Sequence, residues 1–523
     1  MLNLTEHQET FSKQLPKNLI ANILYFILNI LIGLFLVPFF IQNLGVASYG
    51  IILLATSMTS YVNLVTQSLN SSVSRYLTID LQKQDYKKSN ITFNTALFGT
   101  LGITILTIPI IVIVSYYSPI FFDIPISQKQ DAFMLFLGVM GSFLVRTWGS
   151  NFGVSLFSFN RLDLQNIVNA VNVILQLILI FIFFSVYSPR LSYIGYSYLI
   201  AATTTFFLTI LFSKKVNPYL KVNVRDFRFS QVKDLSVTGG WIIIDQIGSL
   251  LLFQMDIIVV NKLFGVAAGG EYSIVLMWNT LIRSAAGMLA GVLTPIILTY
   301  YAKKKFEEIV DISKSAVKIM GLVMALPIGL ICGFSPLVLS LWVGSDFAKL
   351  SPLMWLLLSH LAINMSVLPL FPINVSYNKL RIPATVTILL GIINLLLSLV
   401  LPSVTGWGYY GVAVAGAIVL TARHFFFVPM YATKVLGASK NPFRTSMVQV
   451  ILSTIIVSGT SGIVYCFLNI SSATSLIVCC GIISLIYLPM IWFRFMNQSE
   501  RRIIESFIPT KIMNIIKNNI SYD

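Results

Sequence analysis

The chain has 523 residues, of which 56% are hydrophobic and only 10% charged, with a mean hydropathy of +0.84. Water-soluble domains carry roughly a quarter charged residues, so no soluble packing could hide this much apolar surface. The net charge of +16 would suit a nucleic-acid binder, but the placement of the charges points elsewhere.

Apolar runs long enough to cross a ~30 Å hydrocarbon core at 1.5 Å per residue recur along the chain. They predict about fourteen spans, near 18–41, 48–73, 92–117, 132–158, 165–187, 192–212, 237–261, 271–297, 320–343, 352–375, 383–402, 409–433, 446–468 and 474–493. The expected fold class is therefore an all-α polytopic membrane protein. The first run, Leu19–Ile41, is long for the core of a cleavable signal and no small-residue cleavage site follows it, so it is expected to stay as a span. Cys332, Cys466, Cys479 and Cys480 all lie in apolar segments without zinc-like or redox spacing, which implies neither a disulfide framework nor a metal site.

With the N-terminus in the cytoplasm, 28 of the 35 Lys and Arg fall before span one, in the even-to-odd loops or after span fourteen. Lys129, Arg190, Lys262 and Lys349 fall on the other side, and Arg146, Arg283 and Arg423 lie within spans. Cationic loops resist translocation, so both termini are expected in the cytoplasm and the basic balance needs no nucleic acid. The densest cluster, Lys214, Lys215, Lys221, Arg225, Arg228 and Lys233, forms a basic cytoplasmic loop over 213–236 that is expected to meet anionic headgroups. After Asn497, apolar residues at roughly helical spacing, interrupted by Pro509, read as an amphipathic segment over 498–523.

Two halves echo one another. Leu44-Gly45-Val46-Ala47, between spans one and two, returns as Phe264-Gly265-Val266-Ala267, between spans seven and eight; Phe159-Asn160-Arg161-Leu162 returns as Tyr377-Asn378-Lys379-Leu380. A weaker match sets Asp85-Tyr86-Lys87-Lys88 against Lys305-Phe306-Glu307-Glu308, its charges reversed. The repeat predicts two six-helix lobes, 1–212 and 237–436, of like orientation because six is even, with two additional helices in 437–497. Such bodies carry substrate in a central cleft and rock one lobe against the other.

Polar groups inside spans are costly unless they face protein or water. Span two carries Thr56, Ser60, Asn63, Gln67 and Asn70 on one helical face, a stripe longer than a single packing contact needs. Span five repeats the pattern with Gln165, Asn169, Asn172 and Gln176, where interhelical hydrogen bonding serves equally well. Arginine at membrane depth costs at least ~2.5 kcal/mol, and its forked, permanently charged guanidinium suits phosphate or carboxylate. Arg283, Arg146 and Arg423 are therefore candidate substrate-binding residues, with Asn63, Gln67 and Asn70 beside them; internal ion pairs with Asp245 and Asp256 of span seven are the alternative. Those two aspartates also read as proton or sodium coupling sites. His360 and His424 read as packed or interfacial.

The sequence carries no Walker loop, no HExxH and no GxSxG, so no enzyme chemistry, catalytic residue or cofactor is implied. Gly406-Trp407-Gly408-Tyr409-Tyr410-Gly411 matches GxGxxG by letter but lacks the preceding strand of a dinucleotide site, and reads as a turn.

The repeat, the fourteen spans and the phrases Leu44-Gly45-x-x-x-Tyr49-Gly50, Phe159-Asn160-Arg161-Leu162-Asp163 and Gly408-Tyr409-Tyr410-Gly411-Val412-Ala413 together resemble the multidrug/oligosaccharidyl-lipid/polysaccharide exporter superfamily, in its polysaccharide flippase branch. The resemblance implies a cargo of polyprenyl pyrophosphate-linked oligosaccharide, turned from the cytoplasmic to the outer leaflet of the cell membrane for O-antigen, capsule or a similar glycan, with membrane lipids and a polysaccharide polymerase as partners. It also implies basic cavity residues at the pyrophosphate, the role matched to Arg283. Span one has Asn22 and Asn29 in place of the acidic motif of some drug-extruding relatives, which leans away from a proton- or sodium-coupled multidrug exporter.

Overall fold

The structure is a computed structural model that describes residues 4–83, 85–230, 240–291, 297, 300–301, 305–377, 379–438, 442–468, 470–498 and 500–501. Its long helices are α1 (Leu4–Leu44), α2 (Val46–Gln82), α3 (Tyr86–Phe121), α4 (Lys129–Ser158), α5 (Leu162–Val186), α6 (Leu191–Val216), α7 (Gly240–Phe253), α8 (Met255–Gly291) and α9 (Phe306–Gly333). There follow the shorter α10 (Ser335–Val343), α11 (Ser351–Leu358), α12 (Leu361–Ser366) and α13 (Phe371–Ser376), then α14 (Arg381–Thr405), α15 (Tyr409–Thr421), α16 (Val428–Leu436), α17 (Arg444–Leu468) and α18 (Ala473–Met490).

Among the described residues, 12 stretches are long and apolar enough to cross a membrane. One of them, Ile244–Ala290, runs through two of the spans expected from sequence, and α2 adds a shorter apolar run, Val46–Ser60. The chain is an all-α polytopic membrane protein. Gly265 explains the merged stretch: its φ of 83° breaks the helix for a single residue, a backbone conformation open to glycine at little cost. Gly45, its repeat counterpart between α1 and α2, has φ 81°, so the repeated phrase encodes one turn used twice. Gly406 and Gly408, at φ 70° and 58°, likewise form a turn.

Packing gathers the helices into two compact units, Met1–Ile274 with Arg381–Val412, and Val275–Leu380 with Ala413–Asp523. These divide the chain elsewhere than the repeat does, because α14 packs along α7 and so joins the first unit. Within the first unit Val73, Leu77, Phe93, Leu97 and Phe152 share a core. Within the second, Val317, Val367, Ile373, Val428 and Phe443 share another. There α17 lies along α9 through its glycine face: a Cβ added at Gly329 would stand 2.6 Å from Val457 Cβ, and one at Gly333 2.3 Å from Ser461 Cβ. Such small-residue faces let membrane helices approach closely, and they bind the first of the two additional helices to the body of its unit.

The phrase Phe159–Asp163 also acquires a structural meaning. Asn160 takes φ 55°, which tightens the turn from α4 into α5. Asn18 of α1 donates through Nδ2 to Asn160 O at 2.8 Å and accepts the Asp163 N–H at 3.0 Å. Arg161 grips Asp163 with two bonds of 3.0 Å, and Gln14 donates to the same carboxylate at 2.9 Å. Asn18→Leu strands a part-buried carbonyl and an N–H and is expected to cost about 1–3 kcal/mol, read as a lowered Tm of the purified protein; an unchanged Tm would remove Asn18 from this contact.

Candidate functional site

Among the described residues, each unit holds a concentration of polar chemistry that includes arginine. In the first, α4, α5 and α6 diverge around a pocket of about 390 Å³ lined by Arg146, Thr147, Ser150, Gln165, Asn169, Asn172, Thr205 and Thr209, with Thr59 of α2 at its edge. Arg146 is exposed, so its head is open to a ligand. The polar face of α5 divides by depth. Gln165 and Asn169 line the pocket with Asn172, while Asn172 also donates to Thr205 Oγ1 at 3.1 Å and accepts from Gln176 at 2.9 Å. One face thus serves both as lining and as the interhelical hydrogen bonding that membrane interiors favour.

In the second unit, three segments far apart in sequence converge. Arg423 and His424 sit in a π-helical turn, Ala422–Phe427, between α15 and α16, and both are buried. Arg423 Cζ stands 5.7 Å from the centre of the Phe371 ring, a cation–π distance, and the His424 ring lies 6.4 Å from the same ring. His424 Nδ1 is 2.7 Å from Leu420 O, an arrangement in which that nitrogen carries the proton. Arg283 of α8 is half-buried and within electrostatic reach of both His424 and His360. His360 Nδ1 meets Asn364 Nδ2 at 2.6 Å, and the buried Asn364 Oδ1 has no hydrogen-bond partner among the described residues. The stretches 275–306, 347–380 and 413–499, which carry this cluster, contain no Asp or Glu. Two guanidinium groups and two imidazoles at one place form a setting for a multiply charged anion, with hydrogen-bond donors fixed on three backbones.

From sequence, Arg283 and Arg423 read as substrate contacts and both histidines as packed or interfacial. The structure brings all four together. The π turn has a local cause: Pro429 has no N–H for the carbonyl four residues back, and Val428 N bonds to Arg423 O, five residues back. π turns inside α-helices occur frequently at functional sites.

The two candidate coupling residues lie in the first unit. Asp245 accepts Thr387 Oγ1 at 2.9 Å. Asp256 is buried and accepts from Tyr272 Oη and from Asn394 Nδ2, both at 3.3 Å. The neighbours seen at both carboxylates include neutral donors. The side chains of Asn63, Gln67 and Asn70 lie outside the described residues, as do residues 231–239 of the basic loop and 502–523 of the C-terminal segment.

Comparison with proteins of known structure adds the fold. The chain superposes on the lipid II flippase MurJ in its inward closed conformation with a TM-score of 0.63, at 15% identity, covering 91% of this chain and 98% of that one. An inward-facing multidrug resistance MATE family transporter of the MOP superfamily matches with a TM-score of 0.57, at 16% identity over 80% of this chain and 96% of that chain. The Vibrio cholerae MATE transporter VcmN matches at 0.58, with 16% identity over 83% and 99% of the two chains. In sequence, the uncharacterized membrane protein EpsK of Bacillus subtilis (strain 168) is 26% identical over 487 residues, 93% of this chain and 96% of that protein. No family model matches.

Proposed function

We propose that this chain, which has the fold shared by MurJ and the MATE transporters of the MOP superfamily, is a flippase. Its cargo on this reading is a polyprenyl pyrophosphate-linked oligosaccharide, moved from the cytoplasmic to the outer leaflet of the cell membrane for surface polysaccharide synthesis. The observation that carries the reading is the convergence of Arg283, Arg423, His360 and His424 within one unit. A permanent positive charge held at membrane depth is costly, and a diphosphate is a ligand whose charge repays that cost. The polar pocket around Arg146, Gln165 and Asn169 suits hydroxyl-rich sugars, which amide and hydroxyl side chains bind through paired donors and acceptors. On the sequence pattern alone, Asn63, Gln67 and Asn70 are further candidate contacts for the same cargo. The polyprenyl chain stays in lipid while the headgroup crosses by alternating access. No catalytic step or cofactor enters the scheme; a polysaccharide polymerase would take up the delivered cargo, and both termini stay in the cytoplasm.

The test is translocation of a lipid-linked oligosaccharide by vesicles reconstituted with Arg283→Ala or Arg423→Ala, with insertion level matched. Loss of a charge-assisted hydrogen bond of about 1.5–3 kcal/mol corresponds to a fall of roughly ten- to a hundredfold, and Arg283→Lys should keep part of the rate. Undiminished translocation in both alanine variants would sink the anion site.

A second reading, a proton- or sodium-coupled exporter of organic cations, draws on the buried carboxylate of Asp256 and on Asp245. It predicts that Asp245→Asn or Asp256→Asn abolishes cation efflux that the arginine variants leave intact. On the flippase reading the same aspartates serve only to couple transport to an ion gradient.

A further inference from the structure

Beyond α6, residues 219–228 are fastened to α3. Asn90 donates through Nδ2 to Tyr219 O at 3.0 Å and accepts the Lys221 N–H at 2.7 Å. One turn later Asn94 donates to Lys221 O at 2.8 Å and accepts the Asn223 N–H at 2.8 Å. The spacing explains the fit: four residues of helix advance about 6 Å, and two residues of extended chain advance about 6.6 Å. Each carboxamide therefore replaces the edge of a neighbouring strand for alternate residues of the loop. Thr95 Oγ1 accepts the Arg228 N–H at 3.1 Å, and Tyr86 stacks on Tyr219 with ring centres 4.3 Å apart.

What this fixed backbone displays is unlike an ordinary solvated loop. Lys221, Arg225 and Arg228 are exposed, and beside them Val222, Val224 and Phe229 stand 54%, 68% and 79% exposed. Residues 214–230 hold five basic groups against a single acid, Asp226. The segment follows the end of α6 and lies on the beginning of α3, so it sits where membrane helices leave the bilayer. Apolar side chains interleaved with cations, at that level, match an interface of acyl chains below and headgroups above.

We propose that this strap is a fixed docking surface for anionic phospholipid headgroups of the adjoining leaflet, the cytoplasmic one by the distribution of positive charge. Lys221, Arg225 and Arg228 supply the charge, and Val224 and Phe229 enter the interface. Pinning by Asn90 and Asn94 presents the cations together, which a free loop of equal charge would not do. The surface belongs to the resting architecture of the protein and is independent of its cargo.

The experiment uses full-length protein reconstituted in phosphatidylcholine vesicles, with spin-labelled phosphatidylglycerol and phosphatidylcholine as probes of relative lipid association. Wild type is expected to prefer phosphatidylglycerol. The Lys221→Ala/Arg225→Ala/Arg228→Ala variant should lose about tenfold or more of that preference. Asn90→Ala/Asn94→Ala, which keeps every charge, should lose most of it as well. Wild-type preference in either variant overturns the proposal. So does loss of the preference on adding inorganic phosphate at constant ionic strength, which would mark a free-phosphate site rather than a membrane dock.

Discussion

Replacing Lys318 with alanine is expected to lower the unfolding free energy by about 3–5 kcal/mol, the cost of leaving a buried charge without its partner. Lys318 Nζ of α9 meets Glu500 Oε2 at 2.9 Å, with side-chain exposures of 10% and 2%. The carboxylate is doubly engaged, since Asn497 N donates to the same oxygen at 2.9 Å while Glu500 N donates to Asn497 Oδ1 at 2.8 Å. That reciprocal pair is a capping box at the start of the segment that follows α18. The ion pair therefore holds the segment that follows α18 on α9. Joint replacement by Lys318→Met and Glu500→Leu removes both charges and should recover most of the loss. Thermal unfolding in detergent reads all three proteins; a single alanine variant that melts with wild type would show that the pair contributes nothing.

Gly333→Leu should destabilise the second unit by about 1–3 kcal/mol or more, since overpacking a tight contact forces backbone shifts. The added Cβ would stand 2.7 Å from Ser458 O as well as against Ser461, and a backbone carbonyl cannot rotate aside. Gly459→Leu, on the same α17 but with nothing within 4 Å of its added Cβ, is the control and should melt near wild type. Equal Tm values for the two variants would mean that the glycine face of α9 does not set the contact.

The spans could be read from sequence because hydrocarbon imposes one simple requirement, about twenty apolar residues at a stretch. Where two spans are joined by a single left-handed glycine, as at Gly265, the same criterion counts them as one. The glycine face of α9 is legible in the sequence, since Gly321, Gly329 and Gly333 recur at steps of eight and four, but its partner α17 is not, because nothing local links the two. The candidate site was harder. Arg283 and Arg423 announce themselves by the cost of a guanidinium at that depth. A histidine carries no such cost when neutral, so His360 and His424 looked like packing until the fold set them beside the arginines. The Lys318–Glu500 pair and the grip of Asn90 and Asn94 on the strap link residues more than a hundred positions apart, and no local pattern marks such partners.

The π turn at Ala422–Phe427 has a bearing on how the chain tolerates change in length. A π turn is an α-helix carrying one surplus residue, and the surplus is absorbed where the bond from Val428 N reaches back to Arg423 O. Removing one residue from this stretch would restore a regular helix and leave what lies beyond it in register, whereas removing one from the regular helix that follows would swing everything beyond by about 100°, the angular step of a 3.6-residue turn. Tyr431, whose hydroxyl holds Lys379 O at 3.1 Å, would then face another way, as would Ala432 in the core. The irregularity at the basic cluster thus doubles as a length buffer: sequences sharing this arrangement should tolerate loss of one residue at the exposed Phe426 but not between Val428 and Tyr431.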